Sequence, residues 1–212
     1  MADRALTDAQ RRAASIVLQT LEDDGFVLAG GAALVASGIS VRPTRDIDVF
    51  TPRPVDVAAA AARVENALNA AGFDAVVRRA DGEFATLVVS AGRRRSQFTV
   101  DLGRDSIEWP PVDTSLGPTL SLRELAANKV LALFGRIETR DLSDLHALAA
   151  HVEIDGALHD ALTKDAGFDP TVLAEMVERV IDSSDSEWPA GADVAAVRRF
   201  GRALVTSLRP PA

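Results

Sequence analysis

Short apolar runs alternate with amphipathic stretches along the first half of the chain. Behind Thr7, which has the chemistry of a helix cap, Ala14, Val17, Leu18 and Leu21 recur at helical spacing and predict a scaffold helix over residues 5–22. Asp23-Asp24-Gly25 ends it. Phe26 to Ala29 is a compact apolar run that predicts a buried strand, Gly30-Gly31 turns the chain, and Ala32 to Ser37 begins a second helix. A connection rich in Gly, Ser and Pro leads to Asp46-Ile47-Asp48-Val49-Phe50, where acidic and apolar residues alternate as on a strand. A helix follows over 55–71, its Ala58–Ala62 run suited to close packing on a sheet, and Gly72 stops it. Strands are then predicted over 73–79, 84–90 and 97–102, with Ala80-Asp81-Gly82 as a hairpin signal. This order predicts an α/β (α+β) domain with a mixed sheet, not a doubly wound fold.

Beyond residue 102 the pattern changes. Gly103 to Pro118 is rich in Pro, Asp and Gly and reads as a linker. Ser121-Leu122-Arg123-Glu124 has the form of a capping box and opens a helix reaching about Gly135. Further helices are predicted over 154–164, from Asp169-Pro170 to Ile181, and over 193–208. The expected division is an α/β domain over 1–115 and a helical bundle over 116–212.

Composition narrows the setting. With no apolar run near the ~20 residues of a membrane span and no signal-peptide core, the expected address is the cytoplasm. The chain contains no cysteine, which excludes disulfides and thiolate-bound metals. A formal net charge of −8 argues against a generic nucleic-acid coat. The one dense basic run, Arg93-Arg94-Arg95, reads either as a solvated hairpin loop or as a phosphate contact. Of 23 basic residues only Lys129 and Lys164 are lysines, so a lysine on an apolar helix invites a chemical explanation.

Several residues carry candidate chemistry. Alternation puts Asp46 and Asp48 on one face of their strand, where two neighbouring carboxylates repel unless a cation lies beside them. The bare backbone of Gly30-Gly31 ahead of a helix offers N–H groups to an anion. Asp101 ends a later strand and is either a third site carboxylate or a strand-end acid meeting solvent. Lys129 shares a helix face with Leu122, Leu125, Ala126 and Leu133, so it must snorkel outward, pair with an acid or bind an anion. Asp141 and Asp144 are neighbours one turn apart on a helix. Trp109 packs in the linker or stacks on a base.

The string AGGAAL…RPTRDIDVF, together with LAANKVLALFGRIETRDLSDLHAL further on, resembles the AbiEii/MenT nucleotidyltransferase toxins. Those belong to the DNA-polymerase-β-like nucleotidyltransferase superfamily, and the resemblance spans residues 26–148. It implies a polymerase-β-like catalytic domain that moves a nucleoside monophosphate from an NTP to an acceptor, most plausibly the 3′ end of tRNA. It implies two Mg²⁺ ions held by Asp46 and Asp48, phosphates cradled by Gly30 and Gly31, and Lys129 touching those phosphates. Arg45 would bind phosphate or balance the acids. Asp144 would be a further essential acid with Asp141 as its neighbour, and Asp101 or Asp144 would serve the acceptor hydroxyl. A cognate antitoxin is the implied partner. Many superfamily members carry a serine where Gly31 stands. The alternatives are transfer to a small molecule such as an aminoglycoside or to a protein, and a silent nucleotide-binding module.

Overall fold

The computed structural model describes residues 5–39, 42–92 and 96–209, which divide into two compact units at Ser121/Leu122. The basic run Arg93–Arg95 lies outside the described residues. Among the described residues no helix is long and apolar enough to cross a membrane.

The first unit is built on a seven-stranded sheet. Its strands are β1 (Val27–Ala29), β2 (Asp46–Thr51), β3 (Asp74–Asp81), β4 (Phe84–Ala91), β5 (Ser96–Arg104), β6 (Val112–Thr114) and β7 (Gly117–Thr119). They lie in the order β3-β4-β5-β2-β1-β7-β6. β2 runs parallel to β5, β1 parallel to β7, and the other neighbours are antiparallel, so the sheet is mixed as the pattern predicts.

Period-two alternation divides this sheet sharply. On one face Ile47, Val49, Ala85, Leu87, Val89, Val100 and Leu102 are wholly buried. Those of β4 and β5 meet α3 (Val57–Ala70), whose Ala60, Ala61, Val64 and Leu68 are equally buried. Small alanines let that helix approach closely, and each larger aliphatic side chain contributes about 1.5–3 kcal/mol by leaving water. The intervening residues of β2 and β5, Asp46, Asp48, Thr99 and Asp101, are only half-buried on the other face. The polar half of the alternation is therefore the accessible half.

α1 (Asp8–Thr20) begins at Thr7, whose hydroxyl accepts from Gln10 N at 3.2 Å while Gln10 Oε1 accepts from Thr7 N at 3.0 Å. The same Gln10 donates from Nε2 to the carbonyl of Thr44 at 2.8 Å, and Thr44 N donates to Ala5 O at 3.1 Å. The first helix thus anchors the segment that enters β2 at the acids. α2 (Gly30–Ala36) leaves β1 directly through the glycine turn.

The stretch expected to be a linker is a correction. β5 continues to Arg104, and β6 and β7 form a hairpin whose Leu28↔Thr119 pairing docks it on β1. Gly117, at φ +124°, makes the tight turn that a side chain would strain. The hairpin belongs to the first compact unit, which runs to Ser121. Trp109 lines an open groove of about 380 Å³ with Val27, Pro52 and Arg53.

The second unit consists of α4 (Leu122–Gly135), α5 (Thr139–Leu148), α6 (Ile154–Lys164), α7 (Pro170–Ile181) and α8 (Val194–Leu208). Asp169 caps α7 ahead of its N1 proline, accepting from Thr171 N at 2.7 Å, and Asp193 caps α8 through Ala196 N at 2.9 Å. Leu125, Val130, Leu133, Leu142, Leu145, Leu173 and Val177 fill the core.

Candidate active site

β1 and β2 set the centre of the first unit's site. Ala29 lies opposite Asp48 in their antiparallel ladder, and the chain then turns at Gly30 with φ +58°. A Cβ on Gly30 would come within 2.7 Å of Asp48 Cγ and overlap its Oδ2. Only glycine fits, for the backbone angle and for the space. The turn and the carboxylate therefore share a wall.

Gly31 is buried and its φ is ordinary, but a Cβ there would stand 3.0 Å from Thr44 Oγ1 and 3.1 Å from Arg42 Nη2. A serine side chain there would press on both neighbours, which would have to give by a few tenths of an ångström. Arg42 is a site neighbour that sequence reasoning missed, for its guanidinium lies against the glycine turn. Its position two residues ahead of Thr44, in the Arg-Pro-Thr-Arg run before the acids, is the signal that was available. Arg45 is exposed immediately before β2, and its carbonyl accepts from Thr99 N at 3.0 Å.

The parallel β2–β5 register completes the carboxylate set. It pairs Asp48 directly with Asp101 and Asp46 with Thr99. Asp101 Oδ1 accepts from Thr86 Oγ1 at 2.7 Å, Thr86 being its opposite number on β4. Asp46 Oδ1 accepts from Thr99 Oγ1 at 3.0 Å. Burial pushes the Asp101 carboxyl above its ordinary pKa, the Thr86 hydroxyl pulls it back, and the charge of Asp46 pushes it up again. Three like charges on adjoining strands of one face have the chemistry of a site that a cation would relieve.

Among the described residues no three acidic, histidine or cysteine side chains are gathered tightly enough to hold a metal on their own. The donors present are all carboxylate oxygens, which suit a hard divalent ion such as Mg²⁺, and that ion ordinarily completes its shell with water and substrate phosphates. The residues fit the ion on those terms.

The second unit gathers a different charge cluster. Lys129 Nζ lies 2.7 Å from Asp141 Oδ1 and 2.8 Å from Asp144 Oδ2. Arg136 Nε reaches Asp141 Oδ2 at 2.8 Å. Both aspartates are almost wholly buried, and of the lysine side chain 9% is exposed. Burial alone would raise the Asp141 pKa, but the charge of Lys129, the hydrogen bonds from Arg136 and Lys129, and the charge of Arg136 together hold it below its ordinary value. Of the three fates open to Lys129, pairing with acid is the one observed. The other lysine behaves alike: Lys164 is ion-paired to the wholly buried Glu124. His146 packs beside the Phe200 ring at 5.3 Å between centroids.

No curated protein matches the chain. Two solved structures from Helicobacter pylori share its fold. JHP933 aligns with a TM-score of 0.60 at 19% identity, over 93% of this chain and 89% of that one. A candidate nucleotidyltransferase aligns with a TM-score of 0.63 at 18% identity, over 96% of each chain. Identities this low speak for the fold alone. The family model for the nucleotidyl transferase AbiEii toxin of type IV toxin–antitoxin systems matches residues 15–198. With a glycine turn locked against the Asp48 carboxylate and a match over most of its length, the chain belongs to the AbiEii family of nucleotidyltransferase toxins.

Proposed function

We propose that this nucleotidyltransferase moves a nucleoside monophosphate from an NTP to the 3′ end of tRNA, with Mg²⁺, and that a cognate antitoxin restrains it. The observation that carries the site assignment is the close approach of Gly30 to Asp48, with Asp101 on the next strand. It supports a reading in which the glycine backbone would meet phosphate beside carboxylates that would hold metal.

In this reading the N–H groups of Gly30 and Gly31 hold the triphosphate, and the Arg42 guanidinium beside them adds positive charge. Asp46 and Asp48 would hold the divalent ions, which when bound neutralise phosphate charge and polarise the phosphorus centre. The acceptor 3′-hydroxyl lies in line behind the α-phosphorus, its proton passing to Asp101 Oδ2 as the oxygen–phosphorus bond forms and pyrophosphate departs. Asp101 suits that role because one oxygen is fixed by Thr86 and burial lifts its proton affinity. Arg45, exposed at the entrance to β2, is placed to meet the negative backbone of an approaching substrate.

For Lys129 and Asp144 the reading is twofold. The resemblance assigns them phosphate contact and acid function. Their burial and mutual ion pair support a scaffolding role for Asp144, and a phosphate contact by Lys129 would have to replace one of its two carboxylates.

The test supplies each α-labelled NTP in turn with Mg²⁺ and total tRNA. Label in tRNA with wild type, and none with Asp48→Ala, is expected. Label in a protein or small-molecule pool instead, with tRNA unlabelled, would overturn the tRNA acceptor while leaving the transferase site intact.

A further inference from the structure

We infer that Thr86 is a positioning residue of the transfer reaction, one that fixes which oxygen of Asp101 faces the reacting groups. The inference rests on the assignment of the carboxylate site made above.

The β4–β5 register sets Thr86 directly opposite Asp101, on the open face of the sheet. Its flanking residues Ala85 and Leu87 are wholly buried on the other face, so alternation leaves Thr86 no core to fill. The hydroxyl donates to Asp101 Oδ1 at 2.7 Å, a short bond of the charge-assisted kind. A carboxylate on a freely turning side chain offers two equivalent oxygens and two rotamer-dependent directions. One donor held by the strand register removes that equivalence. Oδ1 is committed, and Oδ2 is the oxygen left for an acceptor proton or a cation.

Asp48 stands on the opposite side of Asp101, in the next strand, with its own oxygen against Gly30. Thr86, Asp101, Asp48 and the glycine turn thus form one line across β4, β5, β2 and the start of α2. Thr86 fixes Asp101 at one end of the line, and Gly30 leaves room for Asp48 at the other. Thr99 repeats the device one step along β5, donating to Asp46 Oδ1 at 3.0 Å. Two hydroxyls on two strands grip two of the three acids. A threonine with no functional duty on an open strand face would ordinarily meet water.

A positioning role predicts a loss in turnover without a matching loss in substrate affinity, because misplacing a reacting group by about 1 Å can cost on the order of 100-fold. The experiment compares wild type, Thr86→Val, Thr86→Ser, Thr86→Ala and Asp48→Ala by steady-state incorporation of labelled NMP into total tRNA. Thermal melting checks each fold. Valine keeps the β-branched shape and removes only the hydroxyl, and T86V is expected to lose roughly 10- to 100-fold in kcat with KM for NTP within about twofold. T86S, which keeps the hydroxyl, is expected to stay near wild type.

Should T86V not fold, serine against alanine reads the hydroxyl at equal loss of the methyl group. A folded T86V with wild-type kcat overturns the inference, as does an unrescued T86S that falls with T86A. Asp48→Ala at wild-type activity, or wild type with no incorporation into tRNA, protein or small-molecule pools, overturns the site assignment itself and this inference with it; label in a pool other than tRNA moves the same comparison of variants to that acceptor.

Discussion

The chain contains two acidic pairs that look alike on paper and are opposite in the structure. Asp46 and Asp48 lie two apart on a strand; Asp141 and Asp144 lie three apart on a helix. In the helical unit two buried carboxylates enclose Lys129, and the half-exposed Arg136 adds a second cation to Asp141. In the sheet unit Asp46, Asp48 and Asp101 face the same way, half-exposed, and the hydroxyls of Thr99 and Thr86 orient two of them. A hydroxyl orients a carboxylate without cancelling its charge. The first arrangement joins buried acids to cations of its own unit, whereas the second sets three acids side by side on a half-exposed sheet face, a donor set that suits a hard divalent ion.

Substitutions should separate the two clusters, and the largest effect is expected at Asp48. Asp48→Ala should lower transfer by roughly 100-fold or more, since it removes a charged group at the reacting centre, while the melting temperature holds or rises. An active Asp48→Ala protein would remove the distinction drawn here. Next comes Gly30→Ala, which must open the wall between the turn and Asp48; loss of activity with a lowered melting temperature is expected. Gly38→Ala is its control, because that glycine also has positive φ but would set its new methyl group in open space, with nothing within 4 Å. It should cost only the backbone term of roughly 1–2 kcal/mol and leave transfer unchanged.

In the helical unit the primary loss should be stability. Lys129→Met removes the cation shared by two buried carboxylates and should cost about 3–5 kcal/mol by urea unfolding. If instead it abolishes transfer at unchanged stability, Lys129 is a substrate contact and the cluster is not closed. The smallest effect concerns acid. The Asp141 pKa is lowered on folding, so its contribution is fully present above the ordinary carboxylate pKa of about 3.9 and is lost as pH falls through the folded value. Asp141→Asn should flatten the decline of the unfolding midpoint below about pH 4 relative to wild type. An unchanged slope would show that the decline comes from other acids.

Much of this is legible in the chain. Alternation at Asp46-Ile47-Asp48-Val49 marks the strand and its polar face, and helical spacing places Lys129 among leucines. What escapes is whatever depends on register. A threonine such as Thr86 or Thr99 is an ordinary strand former, and nothing local tells that it stands beside an acid on the next strand. β6 and β7 escape because three-residue strands leave no periodicity, and the partner of Thr119 lies far back in the chain at Leu28. Arg42 is less conspicuous than Arg45 because nearness in sequence to Asp46 is no measure of nearness to the glycine turn.

The burial of both lysines gives the chain an unusual response to amine-selective reagents. With 9% of one side chain and 2% of the other exposed, acylation of both lysines should be slow while the helical unit is closed. Each lysine would react only at the rate at which its helices part, so the modification rates at Lys129 and Lys164, read by mass spectrometry, would serve as native clocks for the opening of α4 against α5 and of α4 against α6.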